Sequence, residues 1–217
     1  MAQSAGNLRL RRTRKLLREA LVELIEERGF EALTVSEITE RALVSRAAFY
    51  RNYQDKYDLV EQIFAEAMSE LLNAVGDLGR EHPAEVWVAF FERIASDERL
   101  YRALLGSRGS PWFGRKMRAA LRDLVTEQGW RPHGPGGLGA GAHSVHACAD
   151  GFVPDVVSTL FVEAITWWLD HGRPYTPREI ATRTSLLAAA LFKEASTWQQ
   201  PRARTLRGQS RSLLAQN

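Results

Sequence analysis

Residues 34–56, TVSEITERALVSRAAFYRNYQDK, constrain this chain more than any other stretch, because they hold two short helical patterns split by a tight break. Thr34 and Glu37 stand at capping-box spacing, so the threonine oxygen takes an orphan backbone N–H while the carboxylate reaches back. Val35, Ile38, Thr39 and Ala42 then recur at three- and four-residue intervals as a narrow inner face. The pattern breaks at Ala42-Leu43-Val44. Ser45 restarts it as an N-cap, with Ala48 and Phe49 turned inward and Arg46, Ala47 and Tyr50 turned out. Two short helices joined by a turn of three or four residues form a helix-turn-helix, whose second helix is built to enter the major groove of DNA.

The rest of the chain has to support that unit. Its 217 residues allow one domain, or a small one joined to a larger. With 45% apolar and 25% charged residues, no apolar run of 18 or more, and a basic N-terminus that leads into Glu19, Glu23, Glu26 and Glu27 rather than an apolar h-region, neither a membrane span nor a signal peptide is expected. One cysteine, Cys148, excludes an internal disulfide framework and fits a reducing compartment, so the expected location is cytoplasmic. A net charge of +3 hides its distribution. Six basic residues and no acid lie in 1–18, and four basic residues and no acid in 200–217, which leaves nineteen basic against twenty-six acidic residues between them. The N-terminal cluster abuts the helix-turn-helix, as the electrostatic footprint of a DNA reader should.

In chain order, 1–10 reads as a disordered leader and about 11–28 as a helix with the stripe Leu16, Leu17, Ala20, Leu21, Leu24 and Ile25, closed by Gly29. Helices follow at 34–42 and 45–53, which together make a three-helix unit over 11–54. Asp55 then caps a long helix through Leu59, Ile63, Phe64, Ala67, Leu71 and Val75, the natural mechanical link to a second domain. Further helices are expected at about 84–96, 98–105, 111–128, 153–171 and 177–198, the last opened by Thr176-Pro177-Arg178-Glu179. Residues 129–151, rich in glycine, read as a long loop, and 201–217 as a disordered basic tail. The expected fold is all-α: an N-terminal three-helix helix-turn-helix domain (11–54) joined to an α-helical domain (55–200), about nine helices in total.

The run Leu33-Thr34-Val35-x-x-Ile38, followed by Val44-Ser45-Arg46-Ala47-Ala48-Phe49-Tyr50-Arg51-Asn52-Tyr53-Gln54-Asp55-Lys56-Tyr57-Asp58-Leu59, resembles the signature of the TetR/AcrR family of bacterial transcriptional regulators. The motif covers about 11–59. A weaker likeness to one C-terminal subgroup lies in Phe161-x-x-x-Ile165-x-x-Trp168-Leu169, followed by Gly172 and Tyr175-x-Pro177. The resemblance departs at Leu43, where the family usually has glycine, and at Tyr53, where it usually has phenylalanine. A leucine is strained in left-handed backbone, so the expectation is a slightly different turn or an ordinary conformation for Leu43.

The resemblance implies a ligand-responsive regulator, most often a repressor, that binds double-stranded DNA as a homodimer on a pseudo-palindromic operator and is released by a small-molecule effector. Thr34, Tyr50, Tyr53 and Lys56 become candidates for phosphate contact, and Ser45, Arg46, Ala47 and Arg51 for the groove. Arg11, Arg12 and Arg14 would form the N-terminal arm. An effector pocket between helices would be walled by Trp87, Phe90, Phe91, Tyr101, Trp112, Phe113, Met117, Leu121, Trp130, Phe161 and Ile165, though aromatics this frequent also suit plain packing. The last two helices would pair across a dimer through Leu160, Ala164, Trp167, Trp168, Thr184, Leu187 and Leu191. Because Trp167 and Trp168 point about 100° apart, one faces a core and the other an interface.

Other chemistries find less support. His143-x-x-His146-x-Cys148, with His133 and Asp150 nearby, matches no strong metal motif, so neither metal nor cofactor is expected. No phosphate-cradling glycine loop follows a strand and no nucleophile elbow exists, which argues against an enzyme. The alternative is a DNA-binding regulator governed by a protein partner, or by Cys148 or metal chemistry, with no small-molecule effector.

Overall fold

A computed structural model describes residues 2–75, 83–127 and 151–198. Nine helices and no strand occur among them: α1 (Ala2–Arg28), α2 (Val35–Arg41), α3 (Arg46–Tyr50), α4 (Lys56–Val75), α5 (Pro83–Ser96), α6 (Glu98–Leu105), α7 (Pro111–Glu127), α8 (Phe152–Asp170) and α9 (Pro177–Ala195). The all-α expectation holds. Helix α1 starts at Ala2 rather than near Arg11, which draws the expected leader into the helix; adding residues to an existing helix costs far less than nucleating one. Trp130, most of the glycine-rich stretch with Cys148, His133, His143 and His146, and the basic tail lie outside the described residues.

Helix ends follow local chemistry. Gly29 closes α1 at φ +83 with its N–H on the Ile25 carbonyl at 2.8 Å, and a Cβ there would stand 3.3 Å from the Arg108 carbonyl, so glycine answers both the turn and the close approach. Thr34 and Thr176 both make complete capping boxes, with Glu37 and Glu179. Asp55 accepts from the Asp58 N–H at 2.8 Å at the start of α4.

One apolar cluster runs from α1 to α9. Helix α9 packs along α5, α8 along α7 and α9, and α1 along α2 and α6. The layer between α5 and α8 is aromatic. Trp87 stacks on Phe161 with centroids 3.9 Å apart, and Phe91 meets Trp168 edge-on at 5.6 Å. By length and composition α8 is apolar enough to cross a membrane, but half of it is buried inside the protein, as befits a core helix.

Candidate functional site

The helix-turn-helix is assembled from caps. The Thr34 hydroxyl accepts from the Glu37 N–H, and Glu37 Oε2 accepts from both the Thr34 N–H (2.9 Å) and the Thr34 hydroxyl (2.8 Å). Glu37 also pairs with Arg28 at the end of α1. That guanidinium first, and the Thr34 donors second, hold the Glu37 carboxyl down at about 2. Arg41 chelates Glu27 at 2.8 and 2.9 Å and reaches Glu23 at 3.2 Å, so three acids near the reading end are matched by arginines.

Helix α2 closes in a Schellman arrangement: the Leu43 N–H bonds to the Glu40 carbonyl (3.2 Å) and the Val44 N–H to the Thr39 carbonyl (3.0 Å). Leu43 holds the left-handed position at φ 54, which overturns the expectation of an ordinary conformation. Closing both bonds requires that geometry, and a leucine adopts it at a cost of about 1–2 kcal/mol. Ser45 then caps α3 through the Ala48 N–H at 3.2 Å. The helix is five residues long, shorter than the expected 45–53, and Asn52 finishes its last turn by donating to the Ala48 carbonyl at 2.9 Å. Phe49 is fully buried against Tyr53, which leaves Ser45, Arg46, Ala47, Tyr50 and Arg51 exposed on one short element. Arg46 bonds to the Ser36 hydroxyl, which itself donates to Glu40 at 2.8 Å.

Three of the residues expected to touch DNA are used elsewhere. Lys56 Nζ donates to the carbonyls of Phe30, Glu31 and Leu33, each at 2.9 Å, and sits over the Phe30 ring at 4.8 Å. Three donors on three carbonyls leave none for a phosphate, so Lys56 fixes the 30–33 loop to α4. Tyr53 is 3% exposed, and burial pushes its phenol up against the lowering effect of Arg14. Arg14 pairs with Glu66 and bonds Tyr53, tying α1 to α4 rather than forming part of a free arm. Arg11, Arg12, Thr34, Tyr50 and Arg51 remain exposed.

Sequence reading missed Arg108. Its guanidinium donates to the Glu26 carbonyl at 2.8 Å, and its own carbonyl accepts the Phe30 N–H at 2.9 Å, so the turn between α6 and α7 clamps the end of α1. Ser110 adds a bond to Glu31 at 3.2 Å. No signal near Arg108 in the sequence announces these partners.

The aromatic residues expected to wall a pocket fill a core instead. Trp87, Phe90, Phe91, Tyr101, Phe113, Met117, Leu121, Phe161 and Ile165 are all buried, and Trp112 packs edge-on against Tyr57 at 5.2 Å. Burial pushes the Tyr101 hydroxyl up, so it stays protonated. An open groove of about 460 Å³ lies instead between α4 and α7, lined by Glu61, Phe64, Ala65, Met68, Ser69, Leu72, Asn73, Lys116 and Ala120. Phe64 links it to the core through Phe113 at 5.5 Å.

On α8 the adjacent tryptophans diverge, one into the core and one to the surface. Trp168 is fully buried with its indole N–H on the Tyr175 carbonyl at 2.8 Å, whereas Trp167 is 43% exposed and stacks on His171. Trp168 and Thr184 therefore leave the expected interface set, because both are consumed by the chain's own core. Leu187 and Leu191 are exposed, and Leu160 and Ala164 are half-buried.

Residues 17–63 match the family described as bacterial regulatory proteins, tetR family, and residues 81–189 match a transcriptional regulator C-terminal region. The chain belongs to the TetR family. Similar relatives of this TetR-family regulator include YvkB of Bacillus subtilis (strain 168), an uncharacterized HTH-type transcriptional regulator 34% identical over 76 residues, 33% of this chain and 40% of that protein. DhaS of Lactococcus lactis subsp. lactis (strain IL1403), an HTH-type dhaKLM operon transcriptional activator, is 29% identical over 65 residues, 30% of this chain and 35% of that one. The matches thus span less than half the length of these curated relatives. Among solved structures, a TetR transcriptional regulator from Streptococcus agalactiae 2603V superposes with a TM-score of 0.60 at 18% identity, covering 86% of this chain and 98% of that one. A dihydroxyacetone kinase operon activator, DhaS, superposes with a TM-score of 0.54 at 15% identity over 84% and 97%. At such identities the likeness is one of fold. The regulator's family is one of transcriptional regulators and not of enzymes.

Proposed function

We propose that this regulator binds a pseudo-palindromic operator as a homodimer in the cytoplasm, acts there as a repressor, and is released by a small apolar or aromatic effector. The observation that carries the reading is α3, a short helix capped at Ser45 that presents Arg46, Ala47, Tyr50 and Arg51 together to solvent. Arg46 and Arg51 reach guanine edges, each good bidentate pair being worth about 1–3 kcal/mol of discrimination. Thr34, Tyr50, Arg11 and Arg12 supply phosphate contacts, while Lys56, Tyr53 and Arg14 hold the reading unit (11–54) against the remainder (55–200). One reading unit makes too few base contacts for a unique address, and a two-fold pair doubles them. The exposed Trp167, Leu187 and Leu191 on α8 and α9, with Leu160 and Ala164, suit that pairing.

The effector reading moves from the filled aromatic layer to the α4–α7 groove. Helix α4, which supplies one wall through Phe64, Ala65 and Met68, also carries Glu66, paired with Arg14, and one turn earlier Gln62, whose amide donates to the Asn52 carbonyl at 3.0 Å; neither lines the groove itself. A guest that shifts α4 therefore shifts the reading unit, and its differential affinity for the two positions sets the coupling. The second reading, control by a protein partner without a small effector, draws on the closely packed aromatic layer.

Selection of duplexes from a random pool with the full chain tests the proposal. Enrichment of an inverted repeat is expected, with Arg46→Ala weakening the selected site much more than random duplex. Enrichment of nothing, or a Leu187→Arg variant that stays dimeric by sedimentation, counts against the respective parts. Thermal shifts in a metabolite library separate the two modes of control, and a promoter reporter reads the sign, since DhaS is by name an activator.

A further inference from the structure

Two non-glycine residues among those described adopt left-handed backbone, Leu43 at φ 54 and Arg173 at φ 57, and their side chains differ in what they return to the fold. Arg173 bonds the Glu98 carboxylate at 2.9 Å and lies over the Trp168 ring at 5.8 Å, so its conformation places a side chain in contact. Leu43 is 94% exposed. Its backbone closes α2 through the two bonds to Glu40 and Thr39, which glycine would make without steric penalty, and its isobutyl group returns nothing to the free chain. Strain retained without an internal return is a mark of a functional position.

The position says what would meet it. Leu43 stands two residues before Ser45, the N-cap of α3, and two residues of chain span at most about 7 Å. The side chain therefore lies beside the helix end that carries Ser45, Arg46 and Ala47, all exposed. The first residues of a recognition helix are those that meet base edges, and the one apolar group a base pair displays in the major groove is the thymine C5 methyl.

We propose that Leu43 is a specificity-determining residue whose isobutyl group buries a thymine 5-methyl at the edge of the operator half-site, next to the bases met by Arg46 and Ala47. The proposal rests on the DNA-reading function of α3 and adds a base preference to it. The left-handed turn then serves to aim an apolar group outward beside the start of the helix, where the exposed residues Ser45, Arg46 and Ala47 offer only the methyl of Ala47.

The test uses the full chain and its selected duplex, with each thymine replaced in turn by deoxyuridine, which removes only the methyl. At one position per half-site the replacement weakens the wild type about fourfold, the worth of burying one such group. Leu43→Gly and Leu43→Ala both lose that sensitivity while binding the deoxyuridine duplex as the wild type does. Leu43→Gly keeps or raises the thermal midpoint because the strain is relieved, and Leu43→Ala, which keeps the strained Cβ, separates lost contact from relieved strain. The proposal is overturned if every deoxyuridine replacement affects wild type and Leu43→Gly alike, or if Leu43→Gly binds the thymine duplex as tightly as wild type. A wild type that enriches no duplex at all is a distinct result, which removes the DNA-reading function and this proposal together.

Discussion

The reading end over 30–56 and the aromatic layer between α5 and α8 are both built from helices, yet different forces hold them. At the reading end, polar side chains close backbone ends: Thr34 and Ser45 cap helices, Lys56 gathers three carbonyls, and Arg108 holds the last carbonyls of α1. In the aromatic layer, ring meets ring, Trp87 on Phe161 and Phe91 against Trp168. Directional bonds near the surface exchange with water when they break, whereas a ring removed from a close-packed layer leaves a void that little can fill. The lesson is one of division: the layer sets whether the chain folds, and the polar clasps set where the reading surface stands.

The largest expected effect breaks the layer. Trp168→Ala removes a fully buried ring and its bond to the Tyr175 carbonyl, and costs about 3–5 kcal/mol in urea unfolding. Trp167→Ala, its chain neighbour, changes the unfolding of the dilute protein by less than about 1 kcal/mol. A loss at Trp167 that grows with protein concentration reports subunit pairing instead of the fold. Equal losses for the two variants at every concentration would end the comparison.

The same division decides what could be read in the sequence. The boxes at Thr34 and Thr176, the Ser45 cap and the glycine close of α1 are written within three or four residues, and the fold class followed from them and from the apolar spacing. The clasps are not local. Arg14 finds Glu66 52 residues on, Arg108 finds Glu26 82 residues back, and Lys56 reaches carbonyls 23 to 26 residues away. A basic residue beside a recognition helix therefore reads as a phosphate contact until its partners are seen. The tryptophan pair shows the same limit: spacing requires Trp167 and Trp168 to diverge, but the Tyr175 carbonyl, beyond the end of α8, marks which one turns inward. Periodicity likewise brings the rings of α5 and α8 to one side without saying whether the space between them is filled.

An intermediate effect breaks a clasp and leaves the layer alone. Lys56→Met keeps the apolar stem but removes the three bonds to the 30–33 loop, at a cost of about 2 kcal/mol. Affinity for the selected operator falls because Thr34, the next residue after the released Leu33 carbonyl, loses its anchored position. The dependence of log affinity on log salt separates positioning from contact: an unchanged slope is expected, and a slope lower by about 1 would return Lys56 to the phosphate contacts.

The smallest expected effect lies within the capping box. The Glu37 carboxyl stands near 2 when folded against an ordinary 4.5, so its contribution to stability is complete above about 4.5 and is lost as pH falls toward 2. The Arg28 pair is the larger cause and the Thr34 donors the next. Thr34→Ala therefore costs about 1 kcal/mol at neutral pH by removing the cap. It also raises the Glu37 titration midpoint, followed by side-chain NMR, without restoring the ordinary value, because Arg28 and the residue-34 backbone N–H remain. A midpoint unmoved by Thr34→Ala would leave Arg28 and the residue-34 backbone N–H in control, with no part for the hydroxyl. The reading end would then owe less to side-chain caps than to ion pairs between helices, which weakens the contrast with the aromatic layer at the residue where helix-turn-helix begins.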